Sequence, residues 1–112
     1  MKKLMTAMAA TALLASAPTA TAAPPRAAFD GVVQEVFVND ASVLVLVSGR
    51  VDGSCTGRFG PYNLTFEMSD PNGREKFEMV MKAMQNGFRI GGYLKGCGSS
   101  GINKLWQVAI YP

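Results

Sequence analysis

Residues 64–97 read LTFEMSDPNGREKFEMVMKAMQNGFRIGGYLKGC, and this stretch determines the predicted fold. From position 62 to position 68 apolar and polar side chains alternate, which is the period of a strand with one buried face. The turn sequence DPNG at 70–73 ends that strand, because proline fixes φ and glycine tolerates a positive φ. A helix and another strand follow, so the stretch predicts strand, turn, helix and strand in that order.

The helix is predicted over residues 72–86, because apolar side chains recur there at spacings of three, four and seven. Gly87 stands where a glycine commonly ends a helix. Met79 lies off the apolar face and is expected to be exposed. The side chains expected to form the buried face are Phe77, Val80, Met81 and Met84.

Two positions can begin this helix. Asp70 could cap it with Pro71 in the first turn, or Asn72 could cap it with Glu75 three residues later in a capping box. The second arrangement is preferred, because a glycine at position 73 is costly inside a helix and less costly at its edge.

The rest of the chain after residue 22 contributes strands and turns. Residues 48–61 and 96–101 are rich in glycine and are expected to be loops. Five consecutive branched apolar residues at 43–47 fit a strand covered on both faces. The predicted strands are 29–38, 43–47, 62–68, 88–95 and 102–111. This order, β-β-β-α-β-β, predicts a mainly β fold with one helix (α+β), an OB-fold-like five-stranded barrel.

The first 22 residues have the three parts of a secretory signal peptide. A basic start with Lys2 and Lys3 precedes an uncharged apolar run at 4–14, and Ala20-Thr21-Ala22 fits a cleavage site. The alternative, a membrane helix, needs about 20 apolar residues, more than this run provides. We therefore expect residues 23–112 to be one OB-like domain, exported to the periplasm or secreted, with no membrane anchor after cleavage.

Loss of the signal peptide changes the charge balance. The chain has 11 Lys plus Arg and 8 Asp plus Glu, so removing Lys2 and Lys3 leaves nine against eight, a net charge of +1. Nucleic-acid binding requires the neutralisation of several phosphates, and a near-neutral exported domain is not expected to bind nucleic acid.

The two cysteines, Cys55 and Cys97, are expected to form a disulfide, as is usual in exported chains. The alternative is a pair of free or metal-binding thiols. The chain has no histidine, which removes the usual partner for a zinc site and the usual base for catalysis near neutral pH. We therefore predict a protein that is not an enzyme, with no catalytic residues, metal or cofactor.

The candidate ligand-binding residues lie on the polar face of the strand at 88–95. Arg89, Tyr93 and Lys95 alternate there with the core side, and Gly91 lies between them. A tyrosine flanked by cations can support a sugar ring or an anionic group. An ordinary solvated strand face, or a contact between subunits, is the alternative. Trp106 and Tyr62 are instead expected on the apolar sides of their strands.

The mature chain resembles the OB-fold binding (B) subunits of subtilase-type and pertussis-like AB5 toxins. The segments that carry the resemblance are Gly31-Val32-Val33, Cys55, residues 83–90, Cys97 and residues 106–111. It implies a barrel that binds cell-surface glycans and assembles into a homo-oligomer, a pentamer in the toxins. The predicted function is a non-enzymatic exported binding module with a glycan ligand. The alternative is a periplasmic structural or protein-interaction module that uses an exposed strand edge.

Overall fold

The computed structural model describes residues 27–112, and the predicted signal peptide lies outside them. A short 3-10 turn at Ser99–Gly101 precedes the last strand. The other elements within this range, in chain order, are β1 (Phe29–Asn39), β2 (Ser42–Val47), β3 (Arg50–Val51), β4 (Leu64–Glu67), α1 (Gly73–Asn86), β5 (Arg89–Cys97) and β6 (Asn103–Tyr111).

The strands close into a ring. β1 pairs with β2, β2 with β4, β4 with β6, β6 with β5, and β5 with β1. Every pairing in the ring is antiparallel except β4 with β6, where Thr65 lies opposite Lys104 in a parallel pair. Because α1 connects the third and fourth strands of this ring, the predicted OB-like, mainly β architecture with one helix is confirmed.

The short strand β3 continues β2 and adds no new member to the barrel. Val33 lies opposite Val47 in the β1–β2 ladder, and Asp30 lies opposite Arg50 in the β1–β3 ladder, so the register is the same. The Ser48 N–H donates to the Val32 carbonyl at 2.9 Å, which carries the ladder across the break. The barrel is therefore five-stranded, as predicted, although the expectation of a loop throughout 48–61 was wrong at Arg50–Val51.

The start of α1 differs from the predicted capping box. Asn72 is the N-cap but has a left-handed backbone, with φ of 60°, and its side chain makes no capping hydrogen bond. Gly73 is buried, and a Cβ there would come within 2.4 Å of the Met68 carbonyl oxygen. Close packing of the turn on the end of β4 therefore requires glycine at this position and leaves Asn72 in a conformation that cannot form the box.

The rest of the helix follows the pattern more closely. It ends at Asn86, and Gly87 caps it, as predicted, with a left-handed φ of 69°. Val80 is fully buried, and Phe77 and Met84 pack against the core. Met81 is only half-buried, and so is Met79, which was expected to be exposed.

The core fills the interior of the barrel beneath α1. Three consecutive residues of β2, at 43–45, are all buried, which confirms the expectation of a strand covered on both faces. The buried members of the core cluster are Phe29, Val33, Val43, Val45, Val47, Leu64, Phe66, Val80, Ala83, Ile90 and Leu105.

Cys55 and Cys97 form the predicted disulfide, with an S–S distance of 2.00 Å. It connects the loop between β3 and β4 to the end of β5. The side-chain oxygen of Asn103 accepts a hydrogen bond from the Cys55 N–H at 3.2 Å, so the same loop is also attached to the start of β6. A disulfide of this kind is typical of proteins from oxidising compartments. Among residues 27–112, no helix has the length and apolar character needed to cross a membrane.

Candidate functional site

The outer surface of the β5–β6 pair contains the predicted ligand-binding residues. Ile90 of β5 points into the core and is fully buried, so its alternating neighbours Arg89 and Gly91 belong to the outer side. Across the ladder Arg89 pairs with Tyr111 and Tyr93 pairs with Gln107. We call this surface the β5–β6 face and define it as Arg89, Gly91, Tyr93, Lys95, Trp106, Gln107, Ala109 and Tyr111.

A bulge in β6 places Trp106 on this face. Tyr93 pairs with Gln107, but the next residue, Leu94, pairs with Leu105, so Trp106 has no partner in the ladder. Leu105 is fully buried, whereas Trp106 is 46% exposed. The expectation that Trp106 lies in the core was therefore wrong, because an extra residue in a strand shifts the alternation and re-aims the side chain.

A second bulge, in β5, lies beside the first. Between the Leu94–Leu105 pair and the Cys97–Asn103 pair, β5 has one residue more than β6, and Gly96 has a φ of 73°. This arrangement brings the Lys95 ammonium to 5.0 Å from the centre of the Trp106 ring. The contact is a cation–π interaction at the rim of the face.

Lys95 and Trp106 line a pocket of about 250 Å³ that we call the Trp106 pocket. Lys104 also lines it and forms an ion pair with Asp70 at 3.0 Å. Three lysines and a single carboxylate border this cavity, so its charge is net positive. The lining residues are Asp70, Pro71, Lys76, Lys95, Lys104, Leu105 and Trp106.

Lys76, in the first turns of α1, is the most unusual residue of the pocket. It is only 7% exposed, and among residues 27–112 no carboxylate oxygen lies within 4.0 Å of its ammonium. Burial lowers the pKa of Lys76 and the nearby Lys104 lowers it further, while Asp70 acts in the opposite direction. Partial burial of an ammonium without a close counter-charge disfavours its charged form, and because Lys76 lines the pocket this group can attract an anion.

Asp70 is held in place by the turn that it terminates. Burial favours its neutral form, but hydrogen bonds from the Glu67 backbone N–H and from Lys104 prevail and keep the pKa of Asp70 below its usual value. The Glu67 N–H lies 2.9 Å from one carboxylate oxygen, and Lys104 binds the other. Asp70 therefore neutralises Lys104 and leaves Lys76 and Lys95 as the net positive charge of the pocket.

A shallower depression, the tyrosine groove, occupies the other end of the β5–β6 face. It has a volume of about 220 Å³, and its lining includes Gly91, Tyr93, Ala109 and Tyr111. Glycine and alanine lie opposite each other in the ladder and leave space between the two tyrosines. Burial raises the pKa of Tyr111, and Asp30 and Tyr93 raise it further, so this phenol stays neutral at physiological pH.

The predicted site residues are thus on one surface but in different surroundings. Lys95 belongs to the Trp106 pocket and Tyr93 to the tyrosine groove. Arg89 lies at the far end, where it forms an ion pair with Asp30 at 2.7 Å and is therefore not a free cation. The sequence pattern missed Lys76, Trp106 and Tyr111, because they lie outside the segment 88–95. The bulged strand β6 brings Trp106 and Tyr111 to the face, and α1 brings Lys76 to the Trp106 pocket.

A second exposed feature, the aromatic cluster, consists of Phe37, Phe59 and Tyr62. The three ring centres lie 5.6 to 6.2 Å apart, and the Tyr62 hydroxyl donates a hydrogen bond to Glu35. That hydrogen bond raises the pKa of Tyr62. Tyr62 lies before β4, which begins at Leu64, so its placement on the apolar side of a strand was wrong.

The β5–β6 face combines flat apolar rings with ammonium groups, which suits a ligand that has both an apolar surface and a negative charge. Within residues 27–112 no group of three or more Cys, Asp and Glu side chains is arranged to hold a metal ion. No protein-family model, curated protein or solved structure shows a significant match to this chain.

Proposed function

We propose that this chain is an exported, non-enzymatic binding module whose ligand is a glycan bearing an anionic group. The observation that carries the proposal is the Trp106 pocket, where a half-exposed tryptophan lies beside Lys95 and the buried, unpaired Lys76. The exposed part of the indole accepts the apolar side of a sugar ring, and the ammonium groups bind its carboxylate or sulfate.

The fold, the charge and the resemblance to known binding subunits support a glycan ligand, and the signal-like start and the disulfide support export. OB-folds bind oligosaccharides as well as oligonucleotides, and the near-neutral charge of the chain after residue 22 disfavours nucleic acid. The resemblance to AB5 toxin B subunits points to glycans of the cell surface. The signal-like first 22 residues and the disulfide favour a protein that acts outside the cytoplasm, in the periplasm or beyond the cell.

The resemblance also suggests a homo-oligomer, and a ring of five would give weak sites a strong combined affinity. The native mass of the oxidised protein, measured by size exclusion with light scattering, tests this part of the proposal. A pentamer supports the comparison with toxin B subunits, and a monomer contradicts the proposed homo-oligomer.

A glycan array probed with the purified oxidised protein tests the binding function. We expect binding to saccharides that carry a carboxylate or sulfate, and at least about tenfold weaker binding by Trp106→Ala. Phe59→Ala is the matched control, because Phe59 is also an exposed aromatic residue, at 36%, but lies in the aromatic cluster. Equal loss in both variants, or no binding to any anionic glycan, contradicts the proposal.

The aromatic cluster favours a second candidate function, in which the domain binds another exported protein. Phe37 and Phe59 are 40% and 36% exposed and their ring centres lie 5.6 Å apart, so they form an exposed apolar patch. A pull-down from a periplasmic extract should then recover a stoichiometric partner with wild type and not with Phe59→Lys. Recovery of the same partner by both proteins argues against this surface.

A further inference from the structure

The Trp106 pocket adjoins two further depressions along β6. A second depression of about 360 Å³ shares Lys76 and Trp106 with it and continues to Gln107 and Val108. Gln107 and Val108 also line the tyrosine groove, so three adjacent depressions follow β6 from end to end. The five residue steps from Trp106 to Tyr111 correspond to about 16 Å of strand, which is longer than a single sugar ring.

The charges along this path are unequal. Lys76 and Lys95 leave the Trp106 pocket positive, whereas Glu75 contributes a carboxylate to the middle depression. At the far end Arg89 is neutralised by Asp30, and Tyr111 is uncharged at physiological pH. A ligand with negative charge along its whole length would therefore be repelled by Glu75. A ligand with a single anionic end in the Trp106 pocket would place only neutral groups beside Glu75.

Aromatic rings lie at both ends of the path. Trp106 borders the positive pocket, and Tyr93 and Tyr111 border the groove whose floor is Gly91 and Ala109. Among residues 27–112, the ring pairs in contact are confined to the aromatic cluster, so these three rings do not stack on one another. Their exposed surfaces can each contact a separate sugar unit.

We infer that the ligand is an extended oligosaccharide, with one acidic sugar in the Trp106 pocket and neutral sugars that continue along β6 into the tyrosine groove. This inference rests on the proposed glycan-binding function and specifies its ligand: a chain of several units with its charge at one end, bound along its length.

Aldouronic acids test the inference, because a single glucuronate in them is attached to one, two, three or four neutral xyloses. The charge stays constant while the neutral part grows, so a gain in affinity with length reports contacts beyond the anionic pocket. Calorimetric titration of the oxidised full-length mature protein should show affinity rising by about tenfold from glucuronate to the longest member. Tyr93→Ala and Tyr111→Ala should lower that gain several-fold without weakening the binding of glucuronate itself.

The matched controls are Tyr93→Phe and Tyr111→Phe, which keep the rings and should keep the length dependence. Ring and indole NMR signals provide a second measurement, since the longest ligand should shift both Trp106 and the two tyrosines.

Equal affinity for glucuronate and all longer members overturns the extended ligand but leaves the glycan-binding function standing. Absence of binding by every member, together with an empty glycan array, overturns both. Equally tight binding of a peptide with one glutamate and four serines overturns the assignment to a saccharide.

Discussion

The two exposed aromatic surfaces of this domain differ in what their rings contact. In the aromatic cluster, Phe37, Phe59 and Tyr62 lie against one another at centre-to-centre distances of 5.6 to 6.2 Å. On the β5–β6 face, Trp106 has an ammonium group for a neighbour, and a buried lysine lies in the same pocket.

The difference separates a contribution to stability from a capacity for binding. Rings that pack on one another gain their interaction energy within the folded chain. A ring that is half-exposed beside a partly buried ammonium retains unused interactions, which a ligand can complete. The cluster is therefore expected to affect unfolding, and the β5–β6 face is expected to affect binding.

Removal of the disulfide should have the largest effect. The Cys55→Ser/Cys97→Ser double variant frees a loop closed over a sequence separation of 42 residues, for which chain entropy predicts a loss of about 4 kcal/mol. Urea unfolding monitored by circular dichroism gives the free energy of unfolding. The reduced wild type should match the double variant, and a loss below about 1 kcal/mol in either would show that the loop is held mainly by its other contacts.

Phe37→Ala should have the next largest effect, a loss of about 1–2 kcal/mol, because it removes two of the three ring contacts in the cluster. Val38→Ala is its neighbour-matched control, and since Val38 is 53% exposed it should change the unfolding free energy by less than about 0.5 kcal/mol. Glycan binding measured on the folded protein should be the same in both variants. Weakened binding in Phe37→Ala alone would show that the aromatic cluster also contributes to glycan binding.

Lys76→Met should have a smaller effect with the opposite sign. It removes a partly buried ammonium and keeps an apolar side chain of similar length, so we expect a gain in stability of no more than about 1 kcal/mol, together with weaker glycan binding. Lys82→Met, at an exposed position of the same helix, should change neither property. A destabilised Lys76→Met variant would show that Asp70 supports the charge of Lys76 well enough for the fold to benefit from it.

The difference in unfolding free energy between Lys76→Met and wild type should depend on pH, because burial lowers the pKa of Lys76. Between the lowered folded value and the usual value near 10.5, the unfolded chain binds more protons than the folded one, so wild type gains stability as pH rises. The advantage of Lys76→Met should therefore be greatest at neutral pH and should shrink as pH rises through the folded pKa. Unfolding curves at pH 7 and at pH 10 measure this change, and a constant advantage would contradict it.

Much of the fold could be predicted from local patterns. The alternation at 62–68, the spacing of apolar residues in the helix and the glycine at its end indicated the strand-helix-strand unit, although β4 proved shorter than predicted. The same kind of pattern placed Trp106 in the core and was wrong, because one extra residue in β6 reverses the alternation. The sequence around Trp106 does not indicate a bulge, because the position of the bulge depends on which residues of β6 pair with Tyr93 and Leu94 of β5.

The sequence by itself determined the order of the elements, the disulfide partners and the outer side of β5, because these follow from periods of two and 3.6 residues and from a single pair of cysteines. Only the tertiary structure decided which side chains from other elements join that outer side. Lys76 comes from α1, Lys104 and Trp106 come from β6, and Asp70 comes from the turn before the helix. Their meeting depends on barrel closure and on two bulges, which are set by pairing between distant segments of the chain.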